Sequence, residues 1–198
     1  MQIYKNYGKS NLSIKSKINQ KNSYSRAHYE SEKIIKKKFL NNKNMFTILR
    51  MGNVFGFKKF RNVREINNNL VNNLCYAAIK KGEILIKDST IQRTFVPSNQ
   101  FIQMLNFIIR KNIIKNSINN FFYKNLNLYE ISKIIQKRFK LLFGLDINII
   151  VKKINTKKKF IIYPNKYLKI YPVNIKIYFE IDQILKKINQ TIKQINII

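Results

Sequence analysis

With 198 residues, the chain has room for one domain of ordinary size, or for one lobe together with part of a second domain. Hydrophobic residues make up 45% of it, which excludes disorder as a description of the whole chain. The formal net charge is +30, but only seven of the 39 basic residues are arginine, the side chain that phosphate and base recognition favours, so non-specific binding to polyanions is expected from composition alone.

Cysteine, histidine and apolar runs limit the chemistry further. One cysteine, Cys75, excludes an internal disulfide, and a single histidine, His28, leaves no set of ligands able to enclose zinc. Cys75 lies in an apolar stretch and is expected to be a small buried hydrophobe. No apolar run reaches the ~18 residues of a membrane span, and residues 1–10 lack a signal-peptide core, so we expect a cytoplasmic protein.

The first third of the chain predicts a helix, a strand and a loop. Apolar and small residues fall on one side of a helix over residues 24–39, with Asn22 or Ser23 as its cap. Residues 45–49 form a short apolar run of strand length. Three residues that favour turns follow it: Gly52, Asn53 and Gly56.

The middle of the chain alternates helices and strands. A helix is predicted over 65–81, with Gly82 as its stop and an inner face made of Ile66, Leu70, Leu74, Ala77 and Ala78. Residues 83–86 and 93–96 predict two strands. Pro97 ends the second of them, and Ser98 is a candidate cap for the helix that follows.

The last third continues the same alternation. A strand is predicted at 120–123, and Asn127 with Glu130 has the spacing of a capping box at the start of a helix that Gly144 ends. Residues 147–151 and 160–163 are rich in β-forming residues. Apolar residues from Ile177 to Ile188 give a final amphipathic helix, so the class is α/β.

Three stretches, in this order, resemble the extended short-chain dehydrogenase/reductases, the NAD-dependent epimerase/dehydratase family. Tyr7-Gly8 followed by YSRAH at 24–28 is similar to the family's Tyr-Gly and its active-site helix with Tyr-x-x-x-Lys. ILRMGNVFG at 48–56 resembles its Leu-Arg-x-x-Asn-x-x-Gly strand and loop. EILI at 83–86 followed by RTFV at 93–96 resembles its short sheet and Arg-Asp-Phe-Val motif.

The resemblance implies catalytic roles for Tyr24 and His28. Residues four apart share a helix face, and a cation beside a tyrosine hydroxyl, which titrates at about pH 10, makes it a better acid or base toward a sugar hydroxyl. The family's cation is lysine, whereas this chain has His28, a shorter and mostly neutral side chain at pH 7. The alternative is a buried tyrosine and a satisfied histidine on an ordinary core helix.

The resemblance also implies a nucleotide-sugar site. Asn53 and Arg93 occupy positions that contact the diphosphate in relatives, and Asn69 with Leu70 would lie near the base. An arginine fork and an asparagine amide suit a pyrophosphate. The alternatives are a left-handed turn residue at Asn53 and a surface cation at Arg93.

Two departures concern catalysis and the cofactor. The position of the family's catalytic Ser or Thr falls at about Ile3, which cannot hydrogen-bond through its side chain. The five glycines nowhere reach the spacing of a dinucleotide fingerprint, so NAD or NADP is implied by resemblance alone and binding by this chain is doubtful.

The expected fold is α/β, the C-terminal part of a Rossmann-like sheet plus a small α+β substrate-binding lobe. Residues 1–60 would hold the remnant of the Rossmann-like core, and residues 61–198 the lobe. Three hypotheses remain: a truncated nucleotide-sugar epimerase or dehydratase that is inactive alone, half of a split enzyme completed by a separate Rossmann chain, or a basic polyanion-binding protein. The bare sheet edge predicts self-association.

Overall fold

The computed structural model describes residues 3–5, 11–41, 45–56, 69–89, 92–111, 116–152 and 177–195. Within these ranges the chain is mixed α/β, as expected. The helices are α1 (Ser23–Asn41), α2 (Leu70–Lys81), α3 (Ser98–Arg110), α4 (Leu128–Phe143) and α5 (Ile177–Ile195). The strands are β1 (Thr47–Met51), β2 (Asn53–Phe55), β3 (Glu83–Ile86), β4 (Gln92–Pro97), β5 (Ser117–Phe121), β6 (Lys124–Asn127) and β7 (Asn148–Val151).

The strands form three small sheets, and each contains a parallel pair. Strand β1 pairs with β5, and β3 pairs with β7, both in parallel. Strand β4 pairs in parallel with β2 on one side and antiparallel with β6 on the other. Parallel neighbours require a crossover between them, and helices serve as these crossovers, as in other α/β folds.

Gly52 lets the chain pass from one sheet to the next without a turn. Its amide donates to the carbonyl of Phe121 at 2.9 Å in the first sheet, and Asn53 is already paired with Phe95 in the second. A Cβ on Gly52 would lie 2.9 Å from the carbonyl oxygen of Thr94. The glycine is therefore required by close backbone approach, and the predicted turn at this position was wrong.

Two cores hold the elements together. The larger core lies among α2, α4, α5 and strand β3, and the predicted inner face of α5 is fully buried in it, at Ile181, Ile184, Leu185 and Ile188. The smaller core lies under β5 and contains Tyr4, Met104 and Phe121. None of the five described helices has the length and apolar character needed to cross a bilayer.

Local signals placed most helix ends correctly. The Asn22 side chain accepts from the Ser25 amide at 3.3 Å, and Asn127 and Glu130 exchange both hydrogen bonds of the capping box at 2.7 Å. Gly82 and Gly144 end their helices with φ of 65° and 69°. These conformations suit a residue without a Cβ.

Ser98 does not cap α3, contrary to prediction. The Oε1 of Glu180, a buried residue on α5, accepts from the Asn99 amide at 2.9 Å and from the Ser98 hydroxyl at 3.2 Å. A carboxylate here also complements the helix dipole. The sequence did not reveal this cap because Glu180, which takes the place of the serine, lies 81 residues after Asn99 in the chain.

Other boundaries differ from the sequence-based expectation. Helix α2 begins at Leu70 and buries Val71, Cys75 and Ala78, so its inner face is rotated from the predicted one. Strands β1 and β5 are displaced by about two to three residues from the apolar runs that predicted them, as is usual for element boundaries. The predicted start of α2 near residue 65, the strand at 160–163 and the Tyr7-Gly8 pair lie outside the described residues.

The capping box gives a stability prediction. Asn127→Ala removes the acceptor for the Glu130 amide and should lower the free energy of unfolding by about 1 kcal/mol, measured by urea denaturation. The matched control is Asn106→Ala at an exposed position inside α3, where alanine is the better helix former and stability should not fall. An equal loss for both variants would contradict the capping role.

Cys75 should be unreactive in the folded chain. Burial raises the pKa of its thiol, so the thiolate, the reactive form, is suppressed below that raised pKa. With a thiol reagent at about pH 8, we expect no fast reaction until denaturant is added. Lys137→Cys, at an exposed position of α4, should add one rapidly reacting thiol. Fast labelling of native Cys75 would contradict its burial.

Candidate functional site

A cavity of about 670 Å³ lies where α1 faces β1, β2 and the start of α2. Helix α1 contributes Tyr24, His28 and Glu32, which follow one another at intervals of four residues and so share a face. The opposite walls contain Asn53 of β2 and the first residues of α2. With Ile3, four separate parts of the sequence therefore meet at this cavity.

Tyr24 and His28 stand at the exposed side of the cavity. Tyr24 is 57% exposed, and its ring lies edge-on to the imidazole with 4.4 Å between centroids and 60° between planes. His28 is exposed as well. The alternative of a buried pair on an ordinary core helix is therefore wrong, because both side chains can reach a molecule that enters the cavity.

A buried ion pair forms part of the cavity wall. Arg50 of β1 and Glu32 of α1 are 7% and 6% exposed. The guanidinium donates to both carboxylate oxygens, from Nε to Oε1 at 2.9 Å and from Nη2 to Oε2 at 2.8 Å. Such bidentate pairs are short, strong and directional. The pair fixes the rotation of α1 about its own axis relative to β1, and with it the direction of Tyr24 and His28.

The Nη1 group of Arg50 is hydrogen-bonded as well. Its Nη1 donates to the Tyr4 hydroxyl at 3.0 Å and to the Ile14 carbonyl at 3.2 Å, and Tyr4 in turn donates to Asn120 on β5. Burial alone would lower the pKa of Arg50, but the bonds to Glu32 and Tyr4 raise it above its usual range. Burial raises the pKa of Tyr4, so this network holds a charged arginine and a neutral tyrosine.

Two asparagines hold the opposite wall. The amide of Asn53 donates to the Thr94 carbonyl at 3.0 Å. The amide of Asn69 donates to the carbonyl of Val54, and its side-chain oxygen caps α2 by accepting from the Val71 amide at 3.1 Å. Asn53 is thus the first residue of strand β2. The alternative, that it is a left-handed turn residue, is wrong.

Arg93 is the one predicted site residue that does not line the cavity. It lies in β4 opposite Leu126 and donates to the Gln92 carbonyl at 3.0 Å. Its neighbour Thr94 accepts the bond from Asn53, so Arg93 is adjacent to the wall in sequence. The other five predicted residues all line one cavity: Tyr24, His28, Asn53, Asn69 and Leu70.

Sequence reasoning missed Glu32 and Arg50. Glu32 follows His28 by four residues and is one of only nine acidic residues in the chain. An acid this scarce on the inner face of a predicted helix was a usable signal for a buried pair, but nothing in the sequence identified its partner. Ile3, near which the sequence resemblance places the family's Ser or Thr, also lines the cavity.

The fold is similar to that of several solved enzymes. UDP-N-acetylglucosamine 4-epimerase from Bacillus cereus matches with a TM-score of 0.72 and 15% identity, over 94% of this chain and 63% of the enzyme. UDP-glucuronic acid 4-epimerase from the same organism, solved in complex with NAD, matches with a TM-score of 0.71 and 15% identity, over 96% and 59%. An NAD-dependent NDP-hexosamine 5,6-dehydratase of tunicamycin biosynthesis gives 0.68 and 16%, over 94% and 60%.

The chain folds like part of a nucleotide-sugar epimerase. It spans about three fifths of the length of these structures. This agrees with the expectation that the chain corresponds to only part of a Rossmann-like enzyme. No protein-family model and no curated protein matches the sequence. At this level of identity the similarity establishes the fold, and the residues of the cavity must support any statement of function.

The buried ion pair gives a second stability prediction. Glu32→Leu leaves the Arg50 charge buried without a partner and should lower the free energy of unfolding by about 3–5 kcal/mol. The double variant Glu32→Leu with Arg50→Met should recover much of that loss. The exposed pair of Lys140 and Asp146 is the control, since Asp146→Asn should cost less than about 1 kcal/mol. A double variant no more stable than Glu32→Leu would contradict a coupled pair.

Proposed function

We propose that these 198 residues form the nucleotide-sugar binding part of an NAD-dependent epimerase or dehydratase of the extended short-chain dehydrogenase/reductase type. The proposal rests on one observation: residues from α1, β2 and the start of α2, each singled out by a family motif or its neighbourhood, line a single cavity. In this proposal residues 1–60 belong to a Rossmann-like core, and residues 61–198 form the substrate lobe. The proposed boundary falls among residues 57–68, outside the described part.

The cavity has the size and polarity that a nucleotide sugar requires. Small-molecule sites usually enclose ~300–1,000 Å³ and place a few polar groups among apolar walls. Asn53 and Asn69 supply amides at one wall, and α2 begins there, so the positive end of its dipole favours the negative charge of a diphosphate. Leu70 supplies apolar surface against which a base can pack.

Tyr24 is the proposed proton donor and acceptor. Its exposed hydroxyl is available to a sugar in the cavity, and the adjacent imidazole of His28 can share the proton or stabilise the phenolate. The wall at Ile3 offers no hydrogen bond from its side chain to the reacting oxygen. The expected turnover is therefore lower than that of an enzyme with a hydroxyl at this position.

The residues of this chain do not fit a dinucleotide. Pyrophosphate binding in a Rossmann fold uses a glycine-rich turn before a helix, and the five glycines here, Gly8, Gly52, Gly56, Gly82 and Gly144, never have that spacing. Among the described strands, β1 pairs with β5 alone, which leaves room for a parallel neighbour on its other edge. We propose that the cofactor is held by residues outside these 198, on the same or a second polypeptide.

Calorimetry with UDP-N-acetylglucosamine tests the binding role. We expect saturable one-to-one binding with a Kd between about 1 μM and 1 mM, persisting above ~0.2 M salt, where purely electrostatic adhesion is lost. Leu70→Trp should weaken it at least about tenfold by filling the cavity, whereas Leu141→Trp, at an exposed position of α4, should leave it unchanged. Binding that disappears with salt, or that both variants weaken equally, would contradict the proposal.

Equilibrium dialysis with NAD tests the second part of the proposal. The 198-residue chain should retain no NAD at micromolar concentrations, with or without the nucleotide sugar, because no glycine-rich turn is present to receive the pyrophosphate. Retention of NAD at about 1–10 μM would show that these residues hold the cofactor by another arrangement and would overturn this part.

A further inference from the structure

The walls of the cavity belong to different cores. Leu49 and Met51 of β1 pack against the smaller core, whereas Leu70 at the start of α2 packs against the larger one. Protein cores are close-packed and resist deformation, so each wall moves with its own core. The width of the cavity therefore depends on how the two cores are held together.

Strands β2 and β4 are shared by the two cores. In β4, Phe95 lies in the larger core and its neighbour Val96 in the smaller one. In β2, Phe55 lies in the larger core, and Val54 packs against the smaller one. Successive side chains of a strand point to opposite faces, so these two strands form a partition with one core on each side. Asn53 and Val54, which line the cavity, lie in this partition.

Glu180 of α5 binds at the end of this partition. Gly56 and Ser98 directly follow the last paired residues of β2 and β4. The carboxylate of Glu180, a residue 2% exposed, accepts from the Ser98 hydroxyl at 3.2 Å and from the Asn99 amide at 2.9 Å. The packing here is tight, because a Cβ on Gly56 would lie 1.9 Å from the Ser98 Oγ and 3.0 Å from the Glu180 Oε2.

The two helices that these hydrogen bonds join lie in different cores. Helix α5 buries Ile181 and Ile184 in the larger core, whereas α3 contributes Met104 to the smaller one. Helix α5 also packs against α2, whose first residue, Leu70, lines the cavity. A displacement of α5 relative to α3 would therefore move α2 relative to α1 and β1.

We propose that Glu180 is a positioning residue of the cavity: its carboxylate ties α5 to α3 and so keeps α2 at the distance from α1 and β1 that a nucleotide sugar requires. The inference rests on the proposed function for its choice of ligand. Glu180 is not among the described residues that line the cavity, so it acts through the two helices that it joins. A cavity held in its binding shape in advance binds more tightly, because the ligand does not have to bring the two cores together.

Calorimetry with UDP-N-acetylglucosamine compares three variants of the full chain. Glu180→Ala removes the acceptor of both hydrogen bonds and should raise the Kd about fivefold, a size typical of residues that modulate a site without touching its ligand. Glu180→Gln keeps a side-chain oxygen that can accept both bonds, so its Kd should stay within about twofold of the original value. Asp182→Ala is the matched control, because this acid of the same helix pairs with Arg138 of α4 and its loss leaves the Kd unchanged.

Chemical shifts of the ligand-free chain provide a readout that a general loss of stability would not move. The side-chain amide of Asn69 donates to the Val54 carbonyl, and the Val71 amide donates to the Asn69 side chain. Both amide resonances should shift in Glu180→Ala, because α2 moves relative to β2, and neither should shift in Asp182→Ala. Ser98→Ala removes one of the two bonds to Glu180 and should give smaller shifts of the same resonances, so it takes the place of Glu180→Ala where that variant does not fold.

The positioning role and the proposed function fail differently. An unchanged Kd in Glu180→Ala, an equal rise in Asp182→Ala, or a Glu180→Gln variant that binds as weakly as Glu180→Ala would overturn the positioning role and leave the nucleotide-sugar proposal intact. Failure of the unmodified chain to bind UDP-N-acetylglucosamine would overturn the proposed function. In that case, unchanged resonances of Asn69 and Val71 in ligand-free Glu180→Ala would overturn the positioning role as well.

Discussion

The orientation of the candidate site depends on the buried pair of Arg50 and Glu32. Two charges withdrawn from water cost several kcal/mol each unless they meet with good geometry, so the pair tolerates little relative movement of α1 and β1. The Arg50 guanidinium makes four hydrogen bonds of 2.8 to 3.2 Å: two to the oxygens of Glu32, one to the Tyr4 hydroxyl and one to the Ile14 carbonyl. The face that carries Tyr24 and His28 is fixed as a consequence.

A second constraint lies at Gly52, where the chain leaves one sheet and enters another. Thr94 approaches so closely that any side chain at Gly52 would meet its carbonyl, and the same carbonyl accepts the amide of Asn53. This wall of the cavity therefore depends on the close approach of the backbone at Gly52 to Thr94 of β4. The Asn53 side chain therefore holds β2 to β4 in addition to lining the cavity.

The sequence predicted features that depend on neighbours in the chain. The capping box at Asn127, the helix stops at Gly82 and Gly144, and the inner face of α5 were all correct, because each follows from hydrogen bonds or side-chain spacing within one element. Family-like motifs further identified five residues that line one cavity.

Features that depend on distant partners were missed. Glu180 caps a helix 81 residues away from its own position, and Arg50 pairs across 18 residues with Glu32. Arg93 was expected in the cavity because of its motif, yet no residue of β4 is among the described lining, and Arg93 lies opposite Leu126 and donates to the Gln92 carbonyl. Sequence patterns specify which face of an element is apolar, but they do not specify which charged side chains meet across the core.

Chemical-shift mapping with UDP-N-acetylglucosamine tests the central claim, that α1, β2 and the start of α2 form one ligand cavity. We predict that the perturbed backbone amides cluster at residues 24–35, 48–54 and 69–70, with the side-chain amides of Asn53 and Asn69 among them. Perturbations confined to the outer surface of β3 and β7, or spread evenly over the exposed lysines, would contradict it.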